Sequence, residues 1–255
     1  MFSNNNNNNN VLPAAEVGRN NMALPKSNRE YGKKEYWDNR FAQETDFEWL
    51  VSYSDVKTQL EPFLSPDSRV LLVGCGNSSF SADLHDAGYP HLCSLDYSPV
   101  VIDAMRARHV HTRPSLEWIV MDMTHMDALD DASFDVVIDK AAMDALMTAE
   151  EDVWNPAQSV IDASRRMCHH ISRLLTPGGH HLHISFAQPH FRKKYLLGWH
   201  PITEGEEGVT ATGGDDRYSD EFGWTYRVET IAGDDNDGCF HHFLYIMTKE
   251  ERKIQ

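Results

Sequence analysis

The chain is short of the residues on which several protein classes depend. Four cysteines occur in 255 residues, Cys75, Cys93, Cys168 and Cys239, far apart and with no CxxC among them. That excludes a disulfide framework or a cysteine zinc finger and points to reduced thiols in a reducing compartment. No apolar run approaches the roughly 18 residues of a membrane-spanning helix. Positive charge is scarce: 23 Lys and Arg face 39 Asp and Glu, a formal net charge of −16. Such a surface repels phosphate backbones and anionic membranes, so neither nucleic-acid nor membrane binding is expected, whereas a basic protein partner is compatible. The amino terminus, Met-Phe-Ser and then asparagines, lacks the basic and apolar regions of a secretory leader, which makes a soluble cytoplasmic chain the expectation. Histidine is plentiful at fourteen, but HExxH and finger spacings are missing. His181 and His183 share one strand face, yet they read as structural, and no metal is expected.

The run of asparagine from Asn4 to Asn10 cannot build a core, and residues 11–30 have no clear period. Residues 1–30 therefore read as a disordered tail and 31–255 as one domain. Aromatic residues crowd the start of that domain: Tyr31, Tyr36, Trp37, Phe41, Phe47, Trp49 and Tyr53. Beyond a helix over 54–63 the pattern alternates. Strands are predicted at 69–73, 91–96, 116–121, 134–139 and 180–186, with helices near 79–87, 98–108, 156–174 and 189–197. Ser98-Pro99 and Asn155-Pro156 each look like a helix cap followed by proline. The Arg192-Lys193-Lys194 run on the last helix reads as a solvated face. Short alternating elements imply a parallel sheet wound by right-handed crossovers. Residues 203–223 read as a mobile loop. The runs 224–231 and 239–248, joined by a Gly/Asp-rich turn, form a hairpin and must be antiparallel. The expected fold is thus α/β, a doubly wound, mostly parallel, Rossmann-like seven-stranded sheet with a C-terminal antiparallel hairpin.

In a wound sheet, ligands lie over the carboxyl ends of the strands. The first strand ends in Gly74-Cys75-Gly76-Asn77, where two glycines let backbone approach a ligand. The second ends in Asp96-Tyr97, and Asp96 stands 22 residues after Gly74, close to the roughly 20 expected for a carboxylate that reaches a nucleotide ribose. Asp96 can accept from two vicinal hydroxyls. After the third strand, Asp122 can accept from an adenine amino group, with Met123 or Tyr97 packed on the base. Any one of these acids could equally be a helix cap or a loop carboxylate; three at successive strand ends form a pattern. The acid many methyltransferases carry two residues before the first glycine is replaced by Leu72. The segment Tyr36-Trp37-Asp38-Asn39-Arg40-Phe41 could serve in its place, Arg40 offering a cation to a carboxylate and the rings offering faces to a sulfonium; a short helix packed on the sheet is the alternative.

A parallel wind finished by an antiparallel hairpin is the arrangement of class I S-adenosylmethionine-dependent methyltransferases. The segments Tyr36-Trp37-Asp38-x-Arg40-Phe41, Leu72-Val73-Gly74-Cys75-Gly76-Asn77-Ser78, Asp96-Tyr97-Ser98, Phe134 to Lys140 with Asp144-Ala145-Leu146, and Ala187 to Arg192 resemble the eukaryotic lysine methyltransferases of translation elongation factor one-alpha. The resemblance spans about residues 31–250. It implies protein-lysine methylation, S-adenosyl-L-methionine as cofactor, elongation factor one-alpha as the basic protein partner, and a cofactor site using Trp37, Phe41, Trp49, Gly74, Asp96, Asp122, Met123 and Lys140. Phe41 stands where the family usually has tyrosine, and Trp49 sits at a shorter spacing. Arg40, Gly76, Asn77 and Tyr97 join the candidate set from the residue reading. No Asn-Pro-Pro-Tyr loop follows the fourth strand, which weighs against amide or base-nitrogen acceptors. Asp139 could assist deprotonation, but no catalytic residue is assigned. The alternatives are a small-molecule methyltransferase closed by Trp199 and the 203–223 loop, a catalytically silent interaction module, and a nicotinamide-dependent oxidoreductase, which Ser78 in place of a third glycine disfavours.

Overall fold

Val70–Val73 (β1) is apolar throughout and buried on both faces, as a central parallel strand must be. A computed structural model of the protein, which describes residues 25, 27–149, 156–198, 217–231 and 241–251, places it in an eight-stranded sheet. The other strands are β2 (Leu92–Asp96), β3 (Glu117–Val120), β4 (Phe134–Lys140), β5 (Leu175–Ser185), β6 (Tyr218–Ser219), β7 (Trp224–Ile231) and β8 (His242–Lys249). Their order is β3-β2-β1-β4-β5-β8-β7-β6. The first five pair in parallel, and β8 joins β5 antiparallel and continues antiparallel to β7. The order reverses at β1, so ligand space opens above the β1, β2 and β4 ends.

The helices are α1 (Lys34–Phe41), α2 (Tyr53–Leu60), α3 (Phe80–Asp86), α4 (Pro99–His109), α5 (Ala142–Met147), α6 (Gln158–Leu174) and α7 (Pro189–Leu196). Period-two alternation divides the core between the two sheet faces. Val70, Leu72, Val136, Ile138, Leu182 and Ile184 pack on one side with Val56, Leu84 and Ile102. Leu71, Val73, Val137, Tyr245 and Met247 pack on the other with Met167, Ile171 and Leu196.

Several local expectations are corrected. The sheet has eight strands, because β6 pairs with β7 inside the segment read as a loop. Buried Phe222 anchors that end, its carbonyl accepting from Lys249 Nζ at 2.9 Å and Ser172 Oγ at 2.6 Å. Trp199 and the rest of that segment, residues 203–216, lie outside the described residues, as do Asn155, Cys239 and the asparagine tract. Helix α6 begins at Gln158 with Ala157 as its cap, so Pro156 does not occupy the first helical position. Residues 176–179 form a bulge within β5, where pairing jumps from Phe134–Leu175 to Val136–His180 and Gly178 adopts φ +79°. The basic run on α7 is not simply a solvated face: Arg192 is buried and paired with Asp144. A 3-10 turn at Asn28–Gly32 straddles the boundary drawn at residue 30. No described helix is long and apolar enough to cross a membrane.

Candidate active site

The β1 strand ends in a turn that only glycine fits comfortably. Gly74 has φ +62° and Gly76 φ +55°, both left-handed. A Cβ on Gly74 would lie 2.4 Å from Ala142 Cβ, where the start of α5 crosses over the strand end. We therefore expect Gly74→Ala to cost about 2–4 kcal/mol from strain and overpacking. A thermal melt should fall by at least about 5 °C.

Asp96, at the end of β2, is 5 % exposed. Its Oδ2 accepts the Gly76 N–H at 3.1 Å and its Oδ1 the Ser98 N–H at 2.9 Å, so each oxygen keeps acceptor capacity. Burial pushes its pKa up to about 6 against those two N–H groups, with the Asp38 charge adding and Lys34 opposing. The folded protein therefore holds this proton more tightly than the unfolded chain, and stability associated with Asp96 declines as pH rises from about 4 to 6. Binding of a ligand that donates hydroxyls to the carboxylate has the opposite sign. S-adenosylhomocysteine affinity, read by calorimetry, should weaken up to about tenfold between pH 7 and 5. Asp96→Asn should flatten that profile.

Around this turn the amino-terminal segment forms an aromatic wall. Trp37 stacks on Phe41 at 5.5 Å and meets Trp49 edge-on at 5.8 Å, while its Nε1 donates to the Tyr31 carbonyl at 2.6 Å. The Phe41 ring comes within 3.7 Å of where a Gly76 Cβ would stand. Two carboxylates tie this wall to the sheet. Glu44 accepts from the Asn77 side chain at 3.3 Å, and Glu48 accepts from Ser78 Oγ at 2.7 Å and from Lys140 Nζ. Lys140 also donates to the Trp49 carbonyl at 2.9 Å. Burial lowers the Lys140 pKa, and Glu48 opposes that shift. Leu50 and Ala141, on either side of this contact, have φ of +64° and +66°, a left-handed backbone that costs a non-glycine residue about 1–3 kcal/mol.

One cavity of about 550 Å³ collects these groups. Trp37, Phe41, Trp49, Gly74, Gly76, Asn77, Asp96, Tyr97, Asp122, Met123 and Lys140 all line it. Arg40 does not. Its guanidinium is committed to Glu44 through two 2.8 Å bonds and lies buried against the adjoining Phe47 and Trp49 rings, so it braces the wall and is not a free cation for a ligand. Asp122 lines the cavity, but its Oδ1 turns back to Thr124 N–H and Oγ at 2.7 and 2.8 Å. Asp139 is fully buried, accepts from the Ala142 N–H at 2.9 Å and sits 2.7 Å from His183 Nδ1. Burial raises its pKa, but the His183 ring at hydrogen-bond distance, helped by the Met143 N–H, outweighs that and leaves it below the ordinary carboxylate range. It caps α5 and has no access to an acceptor. Among the described residues no group of three metal-ligating side chains occurs. Burial lowers the His181 pKa to about 3 and keeps that ring neutral. Tyr31, Leu50, Asp144 and Phe186 also line the cavity and were not read from the sequence, since nothing in their local spacing signals it. Glu44 and Glu48 act from behind the wall; of these, only the Arg40–Glu44 i,i+4 pair carried a local signal.

A strand-end glycine turn, a buried acid on the next strand and an antiparallel terminal hairpin define a class I methyltransferase architecture. Comparison with known proteins agrees. A methyltransferase-domain family model matches residues 70–179. The [4+2]-cyclase SpnF shares the fold with a TM-score of 0.55 at 12 % identity, over 91 % of this chain and all of that one. The N-methyltransferase NodS of Bradyrhizobium japonicum, solved with S-adenosylhomocysteine, gives 0.50 at 15 % identity over 88 % of this chain and all of that one. Among curated proteins, the chain is 39 % identical to mouse EEF1A lysine methyltransferase 4 over 89 % of its own length and 79 % of that protein's. It is 34 % identical to the cattle protein of the same name, over 93 % and 83 %. The mouse eEF1A lysine and N-terminal methyltransferase matches at 40 % over 67 % of this chain, which spans about a quarter of that longer protein (24 %). The chain belongs to the eEF1A lysine methyltransferase family and is an S-adenosylmethionine-dependent methyltransferase.

Proposed function

We propose that the chain methylates a lysine side chain of a protein, with eEF1A as the substrate. The observation that carries this reading is one cavity in which a glycine turn, a buried ribose-type acid and an aromatic wall converge, in a chain whose relatives are named for lysine methylation of eEF1A. The formal charge of −16 suits a basic partner.

The residues present fit S-adenosylmethionine. Both Asp96 oxygens keep room for a donor, and Asn77 Oδ1 is buried with no hydrogen-bond partner. Asp96 would receive the ribose hydroxyls. Asp122, Met123 and Tyr97 would frame the base, and Asn77 Oδ1 would accept from the ammonium. Lys140 is the single cation among the described lining residues; Glu48 and the Trp49 carbonyl take two of its three donors, and the third would meet the cofactor carboxylate in place of Arg40. Trp37, Phe41 and Trp49 would present aromatic faces to the positive sulfur. When bound, the cofactor supplies an electrophilic methyl group, which the amine nitrogen takes with its lone pair while the carbon–sulfur electrons stay on sulfur. What the protein adds is alignment and exclusion of water, through the aromatic wall that Glu48 and Lys140 pin to the sheet. A lysine must arrive neutral, against an unperturbed pKa of about 10.4, so a weakly polar entry favours the reaction.

Labelling a whole-cell lysate with tritiated S-adenosylmethionine tests the assignment. A labelled band at eEF1A supports it, and label confined to small molecules contradicts it.

A further inference from the structure

Phe186 stands out on the acceptor side of the cavity. Four large apolar residues are well exposed among the described residues: Phe47, Val110, Val120 and Phe186. Phe186 is the most exposed of them at 57 % and the one of the four that lines the cavity. Its ring is free, but its backbone is not. On one side Ser185 Oγ donates to Asp144 at 2.6 Å, and the Phe186 N–H points to the same carboxylate at 3.4 Å. On the other, the Ala187 N–H donates to Ser185 Oγ at 3.0 Å and the Ala187 carbonyl accepts from Tyr245 at 2.5 Å. Buried Arg192 neutralises Asp144 from beneath. A ring left in solvent on so fixed a mount is a preformed contact surface, because it holds its position without packing of its own.

Topology says what meets it. Asp96 and Asp122 follow β2 and β3, whereas Phe186 follows β5, three strand positions from β2. At about 4.8 Å per strand this is roughly 14 Å. The nucleoside anchors and Phe186 therefore lie at opposite ends of the cavity, with the glycine turn and Lys140 between them. Asp144, whose carboxylate faces the Phe186 N–H, stands on α5, and among the described residues the lining that α5, the turn after it and α6 add is otherwise uncharged and mostly small, with Ala145, Ala149, Val160 and Ala163. Such a passage accepts an alkyl stem and favours the neutral amine within it, while the exposed Phe186 face attracts the lysine cation that arrives from solvent.

Resting on the lysine-methylation reading, we propose that Phe186 is a specificity-determining residue that packs against the acceptor lysine as it enters the cavity beside α5 and α6. The test measures kcat and KM for eEF1A, the melting temperature, and S-adenosylhomocysteine affinity for F186A, F186L and F186Y, with V120A as an exposed apolar control off the cavity. F186A is expected to raise KM at least tenfold, with melting and S-adenosylhomocysteine affinity unchanged. F186L, which keeps the bulk and removes the aromatic face, should lose at least fivefold in kcat/KM. F186Y and V120A should stay within twofold of the parent. If F186A does not fold, F186L carries the test. Unchanged kcat/KM in F186L, or a loss matched by lost S-adenosylhomocysteine affinity, overturns the proposal. A parent protein that methylates no lysine of eEF1A overturns instead the reading on which it rests.

Discussion

Asp96→Ala is expected to weaken S-adenosylhomocysteine binding at least a hundredfold while leaving a folded protein. The magnitude follows from what the carboxylate offers. Hydrogen bonds to a charged group contribute about 1.5–3 kcal/mol each, and two vicinal hydroxyls can reach the two oxygens. Losing both costs about 3–6 kcal/mol, and each 1.4 kcal/mol is tenfold. The fold should tolerate the change because two effects oppose. The Gly76 and Ser98 N–H groups lose an acceptor, but a buried carboxylate whose burial raises its pKa to about 6 is no longer held ionised at neutral pH. Calorimetry and a thermal melt on the same sample check both halves. Parent-like affinity in the variant would remove Asp96 from the site.

The largest stability effect is expected one layer below, at the Arg192–Asp144 pair. Both side chains are about 4 % exposed. Arg192→Ala leaves the Asp144 carboxylate buried with Ser185 as its remaining side-chain donor. Breaking a buried pair from one side costs about 3–5 kcal/mol. For a domain of this size that is a drop on the order of 10 °C in melting temperature. The double variant Arg192→Met with Asp144→Leu should recover much of it, since no charge is then left behind. If both variants melt together, the cost comes from lost packing and not from the unpaired charge. Because Asp144 also borders the cavity beside Phe186, Arg192→Ala should depress methyl transfer more than it depresses cofactor binding.

These two sites differ in how far the sequence announced them. The Asp96 environment was legible because its causes are local and periodic. Four apolar residues, two glycines and a strand-end acid at dinucleotide spacing fix one another through the sheet. The parallel wind and terminal hairpin were legible for the same reason. Arg192 was misread because Lys193 and Lys194 beside it suggest a solvated face, and the partner that buries it is Asp144, 48 residues earlier. Arg40 was misread in the opposite way. Its i,i+4 partner Glu44 was visible, but it takes the folded wall of Phe47 and Trp49 to show that the guanidinium is enclosed. Asp139 looked like a candidate base at a strand end, yet the turn into α5 points it down to His183. Strand β6 escaped notice because two residues carry no period. For Arg192 the deciding contact joins segments far apart in the chain, and for Asp139 it depends on which way a turn points.

Lysine methylation of eEF1A from a site anchored by Asp96 can be read on the substrate itself. Peptide mass analysis of purified, unmethylated eEF1A, after incubation with the protein and S-adenosylmethionine, tests it most directly. Methyl groups are expected on a lysine with the parent and none with Asp96→Ala. Methylation at a residue other than lysine, or an unmodified eEF1A despite tight cofactor binding, would contradict it.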